Sequence, residues 1–542
     1  QLLFLKKSTR TPEKMIPEIG LLVEHFAGNH WNNETQCAFM DILREEQFFN
    51  GKGENDPAFS ARDRINRAPK SLGFVVLSPR ISITPAGQAL LTSKRKEEVF
   101  LRQMLKFQIP SPYHKPTAKA ASFWVKPYLE LLRLVRTMGT LKFDELQIFG
   151  MQLTDWRNFE NIVQKIEAFR IAKVEHQGSY KAFKAEYLRN ELTRIFEERI
   201  MNGETQTRES SDASLDKFLR TQSSNMRDYA DACFRYLRAT GLVNVSHVGK
   251  SLSIVPERIE DVDYLLQTID RSPCFIDNEK DYIEYLGNAT VPQLLTDDRQ
   301  KLVAKLHAEF PQVVFNQEVE ISELKDLLAD LTEQRKTDTL SRQVVEIKDY
   351  KLYDDIQNTF KQIENKELYD APLMLEWNTW RAMTMLDGGE IKANLNFDDF
   401  GKPLSTAQGN MADIVCDYGD YMLIVEVTMA SGQKQYDMEG EPVSRHLGKM
   451  KKTSGKPCYC LFIAPTINEA CIAHFYTLHR TNISYYGGKS TIIPLSLNVF
   501  QKMLEDSYKV NYIPDSHQVR RFLEHSNEPV SYTHLRAHET AA

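Results

Sequence analysis

The sequence predicts a multidomain α+β chain, and three observations carry that prediction. At 542 residues it exceeds what one core accommodates, and domains of about 150 residues imply roughly three or four. Its net charge of -6 is divided, with +8 over residues 1–260 against -14 over 261–542, and +11 within 61–140 alone. The residue pattern also changes twice. A helix–glycine–strand–turn–strand motif occurs twice in the basic half, a charged helical stretch follows, and strands alternate with helices from about residue 371. The 42% hydrophobic and 26% charged residues exclude a wholly disordered chain, a collagen-like fibre and a small disulfide scaffold. No apolar run approaches the ~20 residues of a membrane-spanning helix; Tyr421–Val427 is strand-length. Seven scattered cysteines without a CxxC pair support neither a zinc ribbon nor a disulfide framework. With no signal segment visible, the chain reads as intracellular, and Gln1 in place of an initiator Met implies a few missing residues.

The first copy of the repeat ends in Leu72-Gly73-Phe74-Val75-Val76, a break, then Ile81-Ser82-Ile83-Thr84-Pro85. The second ends in Thr240-Gly241-Leu242-Val243, a break, then Leu252-Ser253-Ile254-Val255-Pro256. A helix stopped by Gly and followed by a short hairpin is the outline of a winged helix, which presents its helix to the DNA major groove. Ala230, Cys233, Phe234 and Leu237 form an apolar stripe at i, i+3, i+4 and i+7, while Arg227, Asp231, Arg235 and Arg238 line another face. Arg62, Arg64, Arg67 and Lys70 give the first copy a dense basic stretch. Arg62, Arg64, Lys70, Arg235 and Arg238 are therefore candidate DNA ligands, with a solvated helix face the competing reading.

Residues 261–370 change character: Ile321, Leu324, Leu328 and Leu331 recur at helical spacing among many charges. This predicts a helical linker whose apolar positions pack within the chain, since the stretch is too short for a coiled coil.

From residue 371 the elements become α/β. Met374–Leu386 reads as a helix carrying Glu376, and Met411–Asp417 and Tyr421–Thr428 as strands around a Gly419-Asp420 turn. Pro442 suits the first turn of a helix, Cys458–Ala464 is a buried strand, Thr466 and Glu469 form a capping box, and Thr491–Ser496 is a further strand. A two-residue turn pairs Tyr418 with Tyr421, and the same count sets Asp413 opposite Glu426, with Cβ atoms roughly 5 Å apart. Facing carboxylates in apolar strands repel unless a cation lies between them. Hard oxygen donors suit Mg²⁺, with the Val427 carbonyl a further ligand; the candidate metal ligands are Asp413, Glu426 and Val427. A bulge, or a carboxylate at a fraying strand end, is the competing reading. Glu376 and Glu439 are acids that could join them, which spacing alone does not decide. Such a cluster favours metal-assisted phosphodiester hydrolysis. Asp on one strand with Glu-x-x on the next is the layout of PD-(D/E)xK nucleases, although Thr428 stands where their Lys would be.

The chain as a whole resembles the AlwI family of type IIS restriction endonucleases, most closely the BstNBI-like nicking endonucleases. The stretches that carry the resemblance are Phe59-Ser60-Ala61-Arg62-Asp63-Arg64, Leu72-Gly73-Phe74-Val75, Arg235–Leu242, Gly409-Asn410-Met411-Ala412-Asp413, Gly432–His446, Cys460–Pro465 and Ile492–Leu497. The resemblance implies catalytic roles for Glu376, Asp413, Glu426, Val427 and Glu439, and the absent Lys is shared by the family. It further implies winged-helix-like DNA-recognition subdomains over 1–260, a helical linker over 261–370 and a PD-(D/E)xK-type nuclease domain over 371–530. Residues 531–542 read as a non-native tail. The expected activity is Mg²⁺-dependent hydrolysis of double-stranded DNA a few base pairs outside a short asymmetric site, in the prokaryotic cytoplasm. Expected partners are a second nuclease subunit or transient dimer for double-strand cutting and a cognate DNA methyltransferase, with no membrane. A non-catalytic winged-helix regulator and a structure-specific repair nuclease are the rival readings.

Arg445 and His446 are candidate DNA-phosphate ligands, although Arg445 could simply pair with Glu441 one turn earlier. Lys449, Lys451 and Lys452 form a basic strip suited to backbone contact or to solvation. Cys458 and Cys460 read as core, and His25 and His30 as ordinary.

Overall fold

Glycine stops and side-chain caps set the elements of the basic half. The computed structural model describes residues 2–3, 9–46, 48, 56–114, 123–207, 210–386, 388–407, 409–510 and 515–525. The tail over 531–542 thus lies outside the described residues. Helix α1 (Pro57–Ile65) starts where Asp56 accepts the Phe59 N–H at 2.8 Å and Pro57 supplies a preset φ. After one helical turn, Gly73 at φ +81° redirects the chain into β1 (Val75–Val76), paired antiparallel with β2 (Ser82–Ile83). Downstream, helices α2 (Tyr180–Ile195) and α3 (Leu215–Arg238) precede Gly241 and a second hairpin, β4 (Val243–Ser246) with β5 (Ser251–Ile254). The predicted stripe of Ala230, Cys233, Phe234 and Leu237 is buried. Strand β3 (Thr140–Lys142) adds to this hairpin in the order β3-β5-β4, a partner drawn from about a hundred residues upstream that local pattern does not reveal.

The chain divides into two compact units, 1–329 and 330–542. The boundary falls inside helix α4 (Ile321–Lys348), within residues 261–370. Side-chain chemistry explains the division. In the first unit, the fully buried Lys106 donates to the Asn288 carbonyl at 2.5 Å, and Arg102 contacts both Glu98 and Asp297 at 2.8 Å. In the second, Ile347 and the Ile356, Phe360 and Ile363 stripe of helix α5 (Tyr353–Glu364) pack into a core with Trp377 and Trp380. Among the described residues no helix is long and apolar enough to cross a membrane.

The second unit is built on a five-stranded mixed sheet. In chain order its strands are β6 (Glu390–Ala393), β9 (Ile414–Asp417), β10 (Met422–Val427), β11 (Cys458–Ala464) and β12 (Ile492–Ser496), after a small bulged pair, β7 (Leu395–Phe397) with β8 (Pro403–Thr406), is set aside. Spatial order is β12-β11-β10-β9-β6; β10, β11 and β12 run parallel, and β9 is antiparallel to both β10 and β6. Parallel neighbours require crossovers, supplied by helix α7 (Gln433–Ser454) and helix α8 (Glu469–Arg480). Helices α6 (Ala371–Leu386) and α9 (Leu497–Lys509) contribute to the core on the other face.

Period-two alternation sorts the sheet into two cores. Leu423, Val425, Leu461 and Ile463 face one, with Leu375, Trp377 and Phe500. Ile424, Cys458, Cys460 and Phe462 face the other, against Val443 and Leu447 of α7 and Phe475 of α8. Each fully buried aliphatic side chain contributes about 1.5–3 kcal/mol, so both cores hold the strand register firmly. Two local expectations are corrected. Pro442 lies within α7 rather than in its first turn, because the helix already begins at Gln433. The cap of α8 is Asn468, whose side chain accepts the Ala470 N–H at 2.8 Å, not Thr466.

Candidate active site

The β9–β10 hairpin turns at Gly419, φ +87°, and Tyr418 donates its N–H to the Tyr421 carbonyl at 3.1 Å. Met422 then pairs with Asp417, Leu423 with Cys416, Ile424 with Val415 and Val425 with Ile414, without a bulge. The next step along this ladder sets Glu426 opposite Asp413, just before β9. There the carboxylate of Asp413 turns onto β10: its Oδ2 accepts the Val427 N–H at 2.8 Å, and its own carbonyl accepts the Asn394 N–H at 2.8 Å. Both acids lie on the face covered by α7, which carries Glu439, Val443, His446 and Leu447 at helical spacing.

Crowding governs the electrostatics. Burial, the Glu426 charge and then the Glu439 charge raise the Asp413 carboxyl well above the ordinary carboxylate range, opposed by the Val427 hydrogen bond. Burial, Glu439 and Glu376 do the same to Glu426, which is 6% exposed. Burial also raises Glu439, while a hydrogen bond from Thr428 and the proximity of His446 pull it down. Glu376, on α6, accepts the Thr406 hydroxyl at 3.4 Å. Glu426 thus feels the charges of both Glu439 and Glu376, and Asp413 those of Glu426 and Glu439, so burial and neighbouring charge together favour the neutral forms of Asp413 and Glu426.

His446 Nδ1 lies 2.7 Å from Glu426 Oε1. Burial, followed by Arg445 and Lys449, lowers the His446 pKa to about 4, so at neutral pH this contact is a hydrogen bond and not an ion pair. Arg445 contacts Glu441 at 3.2 Å, and donates to Asn410 Oδ1 at 2.5 Å, tethering the loop that leads to Asp413. Lys451 and Lys452 donate to the carbonyls of Lys489 and Tyr485, at 2.6 and 3.0 Å, so those two lysines of the basic strip tie α7 to a loop.

The donor set fits a hard cation. The buried Asp413 carboxyl is raised by the Glu426 charge, and a cation beside it would offset that repulsion. Among the described residues no three His, Cys, Asp or Glu side chains form a ready cage. A hard divalent cation can be held by one or two carboxylates, with waters and substrate phosphate completing its shell.

The predicted DNA ligands of the first unit have separate placements. Arg64 forms an ion pair with the buried Glu18, and Arg235 contacts Asp231 at 3.3 Å. Arg238 is 4% exposed. Lys70 lies 4.4 Å from the centre of the Tyr113 ring, and Arg62 donates to Gln36 at 2.8 Å with 40% of its side chain exposed. Residue pattern gave Thr428 and Asn410 no contact and did not single out Gln435. Thr428 carried a signal: two positions beyond Glu426, it shares that strand face. Gln435, fully buried, bridges the Ala430 and Thr466 carbonyls at 2.9 and 2.8 Å, contacts that only the folded loops create.

Acids crowded at the end of a mixed sheet are part of the equipment of hydrolases that cleave phosphodiesters with a divalent metal. The AlwI restriction endonuclease model matches residues 70–503, and the chain belongs to the AlwI restriction endonuclease family. It is a sequence-specific DNA endonuclease, a site-specific deoxyribonuclease, and the rival reading as a non-catalytic regulator falls. Solved structures give remote matches. The small subunit of the heterodimeric restriction endonuclease R.BspD6I is 24% identical with a TM-score of 0.30, over 34% of this chain and 96% of that one. The BpuJ1 endonuclease binding domain, crystallised with pyrene- and phenanthrene-modified DNA, is 13% identical with a TM-score of 0.34, over 53% and 97%. Restriction endonuclease FokI is 13% identical with a TM-score of 0.22, over 88% and 84%. No curated protein gives a significant match.

Proposed function

We propose that the chain is a type IIS enzyme of the BstNBI-like nicking kind, cutting one strand a few base pairs outside a short asymmetric site with Mg²⁺. The observation that carries this reading is the Asp413 carboxylate accepting the Val427 N–H, one residue beyond Glu426, at the end of the paired strands β9 and β10. In this reading Asp413, Glu426 and the Val427 carbonyl hold the metal, which when bound lowers the pKa of water and offsets phosphate charge. Glu439 and Glu376 flank the pair, as in a PD-(D/E)xK centre without its Lys, and Thr428 orients Glu439. His446 steadies Glu426 through its ring nitrogen, and Arg445 holds the loop before Asp413. The acids serve one phosphodiester at a time, so cutting both strands calls for a second nuclease subunit or a transient dimer. Residues 1–260 act as winged-helix-like recognition modules and 371–530 as the nuclease domain. A cognate methyltransferase and a prokaryotic cytoplasmic setting complete the reading.

Digestion of supercoiled plasmid with and without Mg²⁺ tests it. Discrete, metal-dependent open circles are expected, and sequencing run off both strands then locates the nick. Linear product forming early without an open-circle intermediate, or cutting that follows DNA structure rather than sequence, would contradict the proposal.

A further inference from the structure

We infer that a groove between α2 and α3 of the first unit grips the DNA backbone, with Arg220 and Arg227 as its phosphate ligands. This rests on the reading of the first unit as the recognition region and names a surface on it that Arg235 and Arg238 do not supply. The groove encloses about 670 Å³. Its floor is apolar and closed by the buried Leu188, Leu192 and Leu219.

Along α3, residues 220, 223, 224 and 227 follow the i, i+3, i+4, i+7 spacing of one helix face. That face reads Arg-Ser-Ser-Arg, and all four residues line the groove. At 1.5 Å per residue the two arginines stand about 10 Å apart along the axis. Both are exposed, and among the described residues neither has a carboxylate within ion-pair distance. Two other arginines of the region differ: Arg189, across the groove, contacts Asp216 at 2.8 Å, and Arg235 contacts Asp231 at 3.3 Å. Unneutralised guanidiniums flanking two small hydroxyl side chains suit a phosphate backbone, because serine permits close approach and supplies hydrogen bonds of its own.

Glu186 of α2 shares the groove wall. A small anion filling the groove would meet that carboxylate, whereas an extended polyanion can touch the α3 rim alone. The charge distribution agrees, since residues 1–260 carry +8. The structure thereby moves the candidate contact face of α3 from its last turns, where Arg235 is ion-paired and Arg238 buried, to its second to fourth turns. In helix-turn-helix proteins it is likewise the N-terminal part of the recognition helix that approaches DNA.

The test uses the full chain in metal-free buffer and a fluorescent random-sequence duplex, with affinity measured across a range of NaCl. Arg220→Ala and Arg227→Ala are each expected to weaken binding and to reduce the slope of log K against log salt by ~0.9, because a phosphate left without its arginine keeps its condensed counterion. The double variant should lose about twice as much slope, melting temperatures should hold, and Arg44→Ala, another surface change in the same unit, should match wild type. Wild-type slope and affinity in both variants would overturn the inference, as would equal losses in Arg44→Ala. A wild-type chain that ignores the duplex would instead overturn the recognition reading beneath it.

Discussion

Replacing Arg64 with Ala should unfold the first unit more readily and leave DNA affinity of the folded chain unchanged. Glu18 is 3% exposed and the Arg64 side chain 18%, and the two form an ion pair. Burial raises the Glu18 carboxyl from 4.5 to about 7, against the pull of Arg64 and Lys14. A rise of that size favours the protonated folded form by about 3 kcal/mol. Because the folded value is raised, folding binds a proton, and stability falls as pH climbs from 4.5 to about 7. Removing Arg64 strands the buried carboxylate, and breaking one side of a buried pair costs about 3–5 kcal/mol. That loss should be full near pH 8. Near pH 5 Glu18 is protonated, and the loss should shrink to about 1–2 kcal/mol, the scale of one hydrogen bond. Urea unfolding at both pH values, followed by circular dichroism, measures the difference. An equal loss at the two pH values, or weaker DNA binding by a variant of unchanged stability, would refute the reasoning.

Gly73→Ala should lower the melting temperature by the equivalent of at least about 2 kcal/mol, since φ is +81° and a Cβ would lie 2.5 Å from Leu286 Cγ and 2.6 Å from its carbonyl oxygen. Gln435→Ala should cost about 2–4 kcal/mol in thermal unfolding, because it strands the Ala430 and Thr466 carbonyls and the Asn468 N–H, which Gln435 meets at 2.7 Å. Arg235→Ala should reduce stability while leaving the salt dependence of DNA binding at the wild-type slope, since its partner is Asp231.

The five-stranded sheet of the second unit was legible because its signals are local. A Gly-Asp turn sets the register of its two strands as far as Val425 opposite Ile414, and one further step of that register would set Asp413 opposite Glu426. Helix α7 carries Glu439 and His446 seven residues apart, on the face with Val443 and Leu447, so their approach to the strands follows from period as well. Long-range pairing was not legible. Strand β3 joins a hairpin formed far later in the chain, and nothing in Thr140–Lys142 names its partner. The partner of Arg64 was hidden for a related reason: Glu18, from a distant helix, is brought against it only by the fold. Likewise, residues 261–370 share a charged helical composition, yet opposite ends of that span belong to different cores.

The central claim, that Asp413 and Glu426 hold the metal for cleavage, is tested most directly by single-turnover nicking of supercoiled plasmid with Asp413→Ala at saturating Mg²⁺. The substitution removes a carboxylate and with it the hydrogen bond to Val427, but relieves repulsion with Glu426. Nicking should fall by orders of magnitude, with plasmid binding unchanged and the metal-free unfolding free energy within about 1 kcal/mol of wild type. Nicking at the wild-type rate, accompanied by a clear drop in melting temperature, would make the pair a structural feature and contradict the account.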